Sequence, residues 1–258
     1  LVLRSKMSLG AKELEGSTLE FIARAGAGLD LIDEAYCSAN QIAVFSANEG
    51  NRDAVAEHVI GQLITLARKI NTADTQVRNG IWDREGNRGW ELQGKTLGII
   101  GYGNMGQSLA KKLQGFDMNI LAYDKYAPAT HALKDIFEQA DILSLHVPLT
   151  DETKEMVNSA FIEQFKKPIV LINSSRGGVC SLEALAAGLS SSKLRGLALD
   201  VLPNEKLATW TATEKTLFDQ IASHPMTLFS PHVAGWTTES YWKINDALID
   251  KIKTHYQL

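Results

Sequence analysis

A glycine-rich turn carries the strongest chemical signal in the sequence. Gly101, Gly103 and Gly106 follow an apolar run at 97–100 and open a predicted helix. In this setting the first glycine permits a tight turn, the second lets the backbone approach a diphosphate, and the third lets the helix pack on the strand. The spacing predicts a dinucleotide-binding turn. A turn that binds no ligand and a site for S-adenosylmethionine are the two alternatives.

A carboxylate follows the glycine-rich turn at the sequence spacing that is typical of a ribose-binding residue. Asp124 ends the next apolar run, about twenty residues after Gly101. A carboxylate at this place accepts hydrogen bonds from the ribose hydroxyls of the adenosine and repels a 2′-phosphate. We therefore expect NAD rather than NADP, although Lys125, the next residue, weakens that preference.

Further polar sets follow later apolar runs, where parallel sheets bind their ligands. They are His146, Val147 and Pro148; Asn173 to Gly178; Asp200 with Glu205 five residues later; and Ser230 to Gly235. Each set taken singly has a structural explanation, but together they converge on one edge of a sheet. Lone histidines are more often structural, and we expect this of the four that stand apart from these sets: His58, His131, His224 and His255.

Short apolar runs that alternate with helical patterns must position these residues. The predicted strands are nearly continuous in apolar residues and cover 97–100, 119–123, 142–147, 169–172, 194–200 and 226–229. Strands of this kind are buried on both faces, as in a parallel sheet covered by helices. The sequence predicts an α/β fold with a doubly wound parallel sheet.

A different block precedes this sheet. The apolar run at 1–3 predicts a strand, further apolar runs cover 19–23 and 42–45, and an apolar stripe predicts a helix over 52–70. The polar stretch 71–93, with Trp82 and Trp90, is predicted to be a long loop that is functional or packed against a partner. The last segment, 239–258, predicts one helix. Because a strand begins at the first residue, we expect the full protein to have residues before it.

Composition excludes several classes of protein. The 258 residues are 45% hydrophobic and 22% charged, with a formal net charge of −4, as in ordinary globular proteins. There is no basic run, which argues against nucleic acid, and no apolar run long enough for a membrane helix or signal peptide. The two cysteines, Cys37 and Cys180, have no metal-binding or disulfide spacing, so we expect no metal site and a reducing, cytoplasmic setting.

The ordered motifs GYGNMG, YD, HVP, NSSRGG, LALDVLPNE and SPHVAG resemble the D-isomer-specific 2-hydroxyacid dehydrogenase family, most closely its D-3-phosphoglycerate dehydrogenase-like branch. The resemblance implies a Rossmann nucleotide domain at 50–235. It would be inserted into a smaller flavodoxin-like substrate domain at 1–49 and 236–258, N-terminally truncated in this chain. It also implies a homodimer that makes contact through helix 52–70 and the arm with Trp82 and Trp90.

By the same resemblance the catalytic residues are Arg176, Glu205 and His232. The planar guanidinium of Arg176 is suited to hold a carboxylate and polarise the adjacent oxygen. His232 would take the hydroxyl proton in oxidation and return it in reduction. Glu205 would orient the imidazole and favour its protonated form. Lys206, where the family usually has Pro, is a departure at the rim of the site.

The resemblance also implies binding residues. Those expected to line NAD, beside the glycines and Asp124, are Asn104, Met105, His146, Val147, Pro148, Ser174, Ser175, Asp200 at the nicotinamide carboxamide, and 232–235 including Gly235. Those expected to meet the substrate are the backbone at Ala25, Gly26 and Ala27 and the cations Arg4 and Lys6, which match phosphate-binding positions.

The implied function is an NAD-dependent interconversion of a D-2-hydroxy acid and its 2-oxo acid. 3-Phosphoglycerate is the leading substrate, as in serine biosynthesis, and lactate, glycerate or a branched analogue are the alternatives. A formate dehydrogenase is less expected, because that branch has Gln at the position of Glu205. From another class, an NAD-sensing corepressor would predict a long tail, whereas this chain stops soon after its last helix.

Overall fold

The computed structural model describes residues 1–4, 7–26, 28–127 and 131–258. Two predicted substrate-binding residues, Lys6 and Ala27, therefore lie outside the described residues. The chain forms two compact units, one of Leu1–Ala54 with Gly235–Leu258 and the other of Val55–Ala234. Which unit serves the substrate stays a prediction.

Along the described residues, the strands are β1 (Val2–Leu3), β2 (Phe21–Arg24), β3 (Ala43–Ser46), β4 (Thr96–Ile100), β5 (Asn119–Tyr123), β6 (Ile142–Leu145), β7 (Ile169–Asn173), β8 (Leu194–Leu199) and β9 (Thr227–Phe229). The helices are α1 (Ala11–Leu14), α2 (Glu34–Ala39), α3 (Arg52–Arg68), α4 (Ile70–Arg78), α5 (Asn104–Lys112), α6 (Leu133–Gln139), α7 (Ser159–Glu163), α8 (Leu182–Ser190), α9 (Ala212–Ser223) and α10 (Thr238–Tyr256).

The first unit contains a parallel sheet in the order β1-β2-β3. Helix α10 buries Ile244 and Leu248 in a small core that includes Ala23 and Ala47. Parallel strands bring their carboxyl ends to one edge of the sheet. The residues that follow β1 and β2 are therefore neighbours, and the Ala25 amide donates a 2.7 Å hydrogen bond to the Leu3 carbonyl.

The second unit contains a six-stranded parallel sheet in the order β5-β4-β6-β7-β8-β9. Its strands are the six predicted ones, which confirms the doubly wound sheet. Consecutive residues of β6 enter the cores on opposite faces, Ile142 one and Leu143 the other, as a sheet covered on both sides requires. The strand order reverses at β4, which has β5 on one side and β6 on the other. Ligands bind beyond the carboxyl ends of the strands at such a switch point.

The predicted loop at 71–93 is wrong in its first part, where α4 forms. Helix α3 ends at Arg68, and Lys69 takes the left-handed conformation with φ of 53° before the chain turns into α4. None of the α4 residues is buried. Its large apolar side chains, Ile70 and Val77, are exposed rather than packed in a core, and local contacts such as the ion pair between Arg78 and Asp74 support the helix instead.

Helix α9 is an element that the apolar periodicity did not reveal. Its signal is at its start, where Thr211 Oγ1 accepts from the Glu214 amide at 3.2 Å and Glu214 Oε2 accepts from the Thr211 amide at 2.7 Å. This reciprocal pair is a capping box, which satisfies two backbone donors at a helix N-terminus. Among the described residues, no helix is both long and apolar enough to cross a membrane.

Candidate active site

The glycine-rich turn lies at the switch point, directly after β4. Gly101 has φ of 94°, and a Cβ there would lie 2.4 Å from the carbonyl oxygen of His146. A Cβ at Gly106 would lie 2.3 Å from the carbonyl oxygen of Gly101. A Cβ at Gly103, the N-cap of α5, would meet nothing within 4 Å. Packing thus requires two of the glycines, and the third leaves open space at a helix N-terminus, where a diphosphate fits.

Asp124 anchors the turn from the end of β5. Its Oδ2 accepts from the Tyr102 amide at 2.7 Å, and its Oδ1 accepts from the Tyr126 amide at 2.8 Å. A carboxylate has about four acceptor positions, so it can serve both backbone amides and ribose hydroxyls. Asn104 and Met105 form the first turn of α5 and are half-buried. The groups present fit the adenosine and diphosphate portions of NAD.

The segment after β6 forms the facing side of the switch point. His146 Nε2 lies 2.9 Å from Ser144 Oγ, and burial lowers the pKa of His146 to about 4. The imidazole is therefore neutral near pH 7. Val147 approaches the Gly-rich turn, with its Cγ1 3.1 Å from the place of a Cβ on Gly101, and Pro148 is exposed. This segment offers an uncharged wall rather than an acid or base.

Asn173, at the end of β7, organises the loop that carries Arg176. Its buried Oδ1 accepts from the Ser175 amide at 3.0 Å and from Ser175 Oγ at 2.8 Å, while its Nδ2 donates to the Arg176 carbonyl at 3.0 Å. Arg176 Nη1 donates to the Ser175 carbonyl at 2.8 Å, which orients the guanidinium. The buried Ser174 Oγ has no hydrogen-bond partner among the described residues. A polar group of a bound cofactor would satisfy it.

Gly177 brings the Arg176 loop against the segment that leads to Glu205. A Cβ at Gly177 would lie 2.0 to 2.5 Å from backbone atoms of Leu202 and Pro203. Only a glycine permits so close an approach of two backbones. The arginine and glutamate loops, which are distant in sequence, therefore pack directly on each other.

Glu205 and His232 form the ion-pair geometry expected of a positioned imidazole. His232 Nδ1 lies 2.9 Å from Glu205 Oε1 and 3.1 Å from Oε2. Both side chains are exposed, and Nε2 is the ring nitrogen that this contact leaves for another group. His232 has φ of 55°, and its amide donates to the Asp200 carbonyl at 2.7 Å. A strained backbone held by such a contact is common at functional sites.

Asp200 holds the histidine loop from the end of β8. The carboxylate is 1% exposed. Its Oδ1 accepts from Ser230 Oγ at 2.5 Å and from the Val233 amide at 3.0 Å, and its Oδ2 accepts from the Ala234 amide at 2.9 Å. These bonds go to the loop itself. The contact of Asp200 with the nicotinamide carboxamide stays a prediction. Of its two oxygens, Oδ2 accepts fewer of these bonds and is the one better placed to accept another.

Two residues behind this loop, His58 and Gln62, were not predicted to be part of the site. His58 Nε2 lies 2.9 Å from Ser230 Oγ and 3.5 Å from Asp200 Oδ1, and Gln62 Nε2 donates to Ser230 Oγ at 3.2 Å. His58 and Gln62 are four residues apart on α3 and so share a face. Polar residues on the apolar side of that helix were the available signal, yet a lone histidine there has an ordinary structural explanation.

Two other histidines are structural, as expected. His131 Nδ1 accepts from the Ala122 amide at 3.2 Å, and His224 Nδ1 accepts from the Met226 amide at 3.2 Å. No group of three or more His, Cys, Asp or Glu side chains is placed to hold a metal ion in the part of the chain that the structure describes.

The predicted substrate residues that the structure describes belong to the first unit. Ala25 and Gly26 follow β2, beside the carboxyl end of β1 that carries Arg4. The guanidinium carbon of Arg4 lies 4.1 Å from the ring centroid of Trp236 and 4.7 Å from that of Tyr241. Cation–π contacts of this kind fix the orientation of a guanidinium. The aromatic partners were not predicted.

Gly235 also belongs to the first unit. A Cβ at this position would lie 2.4 Å from Asn51 Nδ2, and the Gly235 carbonyl accepts from Ser240 Oγ at 2.7 Å. Its contacts explain why glycine stands there. Its predicted part in cofactor binding stays a prediction.

A six-stranded doubly wound sheet with a dinucleotide turn at its switch point defines an α/β nucleotide-binding enzyme fold. A sequence model described as the NAD-binding domain of D-isomer specific 2-hydroxyacid dehydrogenases matches residues 60–234. The chain belongs to this family of NAD-dependent oxidoreductases, which act on D-2-hydroxy acids.

Several curated relatives match most of the chain. It is 34% identical to a hydroxypyruvate reductase of Thermotoga maritima, over 98% of the chain and 83% of that protein. It is 35% identical to an (S)-sulfolactate dehydrogenase of Chromohalobacter salexigens, over 91% of the chain and 77% of that protein. It is 32% identical to D-3-phosphoglycerate dehydrogenase 2 of Saccharomyces cerevisiae, over 92% of the chain but 53% of that protein.

Solved structures show the same fold. D-lactate dehydrogenase from Aquifex aeolicus, complexed with NAD and lactic acid, superposes with a TM-score of 0.87 at 26% identity. An acyclic imino acid reductase in complex with NADPH and D-Arg gives the same TM-score and identity. Each match covers 99% of this chain and 82% of the other chain.

Proposed function

We propose that Arg176, Glu205 and His232 carry out the interconversion of a D-2-hydroxy acid and its 2-oxo acid. The observation that carries this proposal is the contact of His232 Nδ1 with the Glu205 carboxylate at 2.9 Å. That contact directs Nε2 toward a substrate and supplies a negative charge beside the ring. When NAD is bound, its nicotinamide accepts or supplies the hydride at C2 of the substrate.

The protein's own groups manage the proton and the substrate carboxylate. In oxidation, His232 Nε2 takes the proton of the C2 hydroxyl, and in reduction it returns that proton to the carbonyl oxygen. Glu205 stabilises the charged imidazole between these steps. Arg176, oriented by the Ser175 carbonyl, would hold the substrate carboxylate with its guanidinium and polarise the neighbouring oxygen.

For the substrate, we propose a 2-oxo acid with a second anionic group, and 3-phosphohydroxypyruvate, the product of 3-phosphoglycerate oxidation, as the leading candidate. Support comes from Arg4, whose guanidinium lies over the rings of Trp236 and Tyr241 and whose strand β1 pairs with β2, the strand that precedes Ala25 and Gly26. Stacking leaves the edge of a guanidinium for an anion. Two of the relatives are named for substrates with such a group, a phosphate in one and a sulfonate in the other.

The test is a spectrophotometric assay of NADH oxidation over a panel of 2-oxo acids. The panel contains 3-phosphohydroxypyruvate, 3-sulfopyruvate, hydroxypyruvate, pyruvate and a branched 2-oxo acid. We expect one of the first two to give the highest kcat/KM, and the Arg4→Gln variant to lower that value by about tenfold while leaving pyruvate reduction unchanged. A preference for an acid without the second anion would reject the substrate, and inactivity on all five would reject the function.

We further propose that two copies of the chain associate through α4 and the arm that follows it. Support comes from the exposed apolar side chains there, Ile70, Val77, Ile81 and Trp82, the last 84% exposed. Trp90 was also predicted to lie in this contact, but its ring packs within the same chain, with its centroid 4.6 Å from the guanidinium carbon of Arg195. Sedimentation velocity should show a dimer that Trp82→Glu dissociates and that Trp242→Glu, an exposed aromatic control in the first unit, leaves intact.

We propose a cytoplasmic location, with serine biosynthesis as the setting if the phosphorylated substrate holds. The support is that Cys37 and Cys180 are both buried free thiols, as is usual in a reducing compartment. Thiol titration of the protein unfolded directly from cells should give two thiols per chain, and fewer would contradict the assignment.

A further inference from the structure

Lys125 is a cation at the place where an NADP-dependent enzyme would bind the 2′-phosphate. It follows Asp124, whose carboxylate ties the end of β5 to the Gly-rich turn through the Tyr102 amide at 2.7 Å. In the structure its ammonium is engaged. Lys125 Nζ lies 2.7 Å from both oxygens of Glu152.

Glu152 reaches Lys125 from a well-fixed loop after β6. Thr153 Oγ1 donates to the Pro148 carbonyl at 2.6 Å and accepts from the Thr150 amide at 2.8 Å, which closes a tight turn around Glu152. Beyond the turn, the Glu155 amide donates to the Gly178 carbonyl at 2.8 Å. Because the loop is anchored on both sides, the carboxylate is held opposite Lys125 before any ligand binds.

A third group belongs to the same contact. The Tyr126 hydroxyl donates to Glu152 Oε2 at 3.3 Å, and the Tyr126 amide donates to Asp124 Oδ1 at 2.8 Å. The hydrogen bonds with Glu152 raise the pKa of Lys125, and those with Lys125 lower the pKa of Glu152. Both groups therefore stay charged at neutral pH. Lys125 and Glu152 thus form a bidentate ion pair beside Asp124, the carboxylate predicted to bind the ribose hydroxyls.

We propose that Glu152 is a specificity-determining residue that excludes the 2′-phosphate of NADP. Glu152 pairs with the Lys125 ammonium, so this cation is not available to a 2′-phosphate, and Glu152 adds a second carboxylate near Asp124. The pair is exposed on both sides, and exposed ion pairs contribute little to folding. Stability therefore does not explain the Lys125–Glu152 pair, whereas its position beside the predicted cofactor site does.

This fold admits either cofactor, as the imino acid reductase with NADPH and the lactate dehydrogenase with NAD illustrate. Discrimination must therefore come from local charges. Asp124 alone repels a 2′-phosphate, but a neighbouring free lysine would offset that repulsion. Glu152 keeps the local charge negative.

Isothermal titration of the purified protein with NADH and with NADPH tests the proposal without any substrate. For Glu152→Gln we expect NADPH to bind about tenfold more tightly, with NADH affinity changed less than about twofold. Adding Lys125→Met to that variant should remove the gain, because the freed ammonium is its source. The gain should also shrink in high salt, since both groups are exposed to solvent.

The matched control is Glu138→Gln, which removes the same charge from another exposed pair of the second unit, 3.7 Å from Lys134. Thermal unfolding of each variant shows that the fold is kept. Three results would overturn the proposal: no gain for NADPH in Glu152→Gln, a gain that persists without Lys125, or an equal gain in Glu138→Gln. A gain that needs Lys125 and is absent from the control supports it.

Discussion

Two parts of the same sheet edge reach their geometry by different means. The Gly-rich turn after β4 is fixed by its backbone, since Gly101 and Gly106 leave no room for side chains. The loop that carries His232 is fixed by one buried side chain, Asp200, which accepts hydrogen bonds from a hydroxyl and two amides of that loop. The first part leaves open space at a helix N-terminus, and the second holds the histidine that we propose as the proton carrier.

The two carboxylates in these parts show the same contrast. Asp124 is half-buried and accepts hydrogen bonds from the amides of Tyr102 and Tyr126, and ribose hydroxyls are its predicted ligands. Asp200 is buried, and most of its capacity is taken by its own loop. The two strand-end aspartates thus differ in burial, and only Asp124 is exposed enough for the ligand role predicted for it.

The largest expected effect comes from breaking the second part at His232. His232→Gln removes the proposed proton carrier but keeps a polar side chain of similar size, so turnover should fall by about a thousandfold. Cofactor binding should stay within about twofold of normal, because the Gly-rich turn is untouched. NADH oxidation and fluorescence titration with NADH measure the two effects. The control is His224→Gln, since the His224 imidazole lies outside the proposed site and accepts a hydrogen bond from the Met226 amide. Equal losses in the two variants would contradict the assignment of His232.

Breaking the first part at Gly101 should instead lower the free energy of unfolding. Gly101→Ala places a methyl group 2.4 Å from the His146 carbonyl oxygen at a φ that favours glycine, which should cost about 3 kcal/mol. Urea unfolding measures the change. Gly103→Ala is the matched variant: its methyl group meets open space, so stability should stay within about 0.5 kcal/mol while NADH affinity falls. Equal stability of the two variants would show that the glycines do not have separate roles.

The same contrast explains what the sequence could and could not predict. The strands β4 to β9 and the Gly-rich turn are local patterns, so apolar runs and glycine spacing were enough to find them. The Asp200 network joins His58 to Ser230 across 172 residues, and no local pattern encodes that contact. Helix α4 was missed because it buries none of its residues. The pairing of Arg4 with Trp236 also depends on the folding of distant segments of the chain.

A smaller effect is expected where the buried network supports the histidine loop. Ser230→Ala removes the hydroxyl between His58, Gln62 and Asp200, so each loses a hydrogen-bond partner. We expect turnover to fall about tenfold and the free energy of unfolding to fall by about 1.5 kcal/mol. Ser230→Thr, which keeps the hydroxyl, should recover most of the turnover. If Ser230→Thr is as impaired as Ser230→Ala, the hydroxyl is not what holds the loop.

The smallest expected effect concerns pH and the neutral imidazole of His146. Burial lowers the pKa of His146 to about 4, whereas an unfolded chain has the ordinary value near 6.5. Below about pH 6.5 the unfolded state binds a proton that the folded state does not bind until near pH 4, so lowering the pH across that interval destabilises the fold. Between pH 7 and pH 6 the free energy of unfolding should fall by about 0.7 kcal/mol through this group, and above pH 7 the group should have little further effect.

Because carboxylates also titrate in acid, the measurement is the difference between the wild type and His146→Gln in urea unfolding at pH 7, 6 and 5. Parallel slopes in the two proteins would show that His146 is not held neutral, and the uncharged character of the segment after β6 would then lose its physical basis.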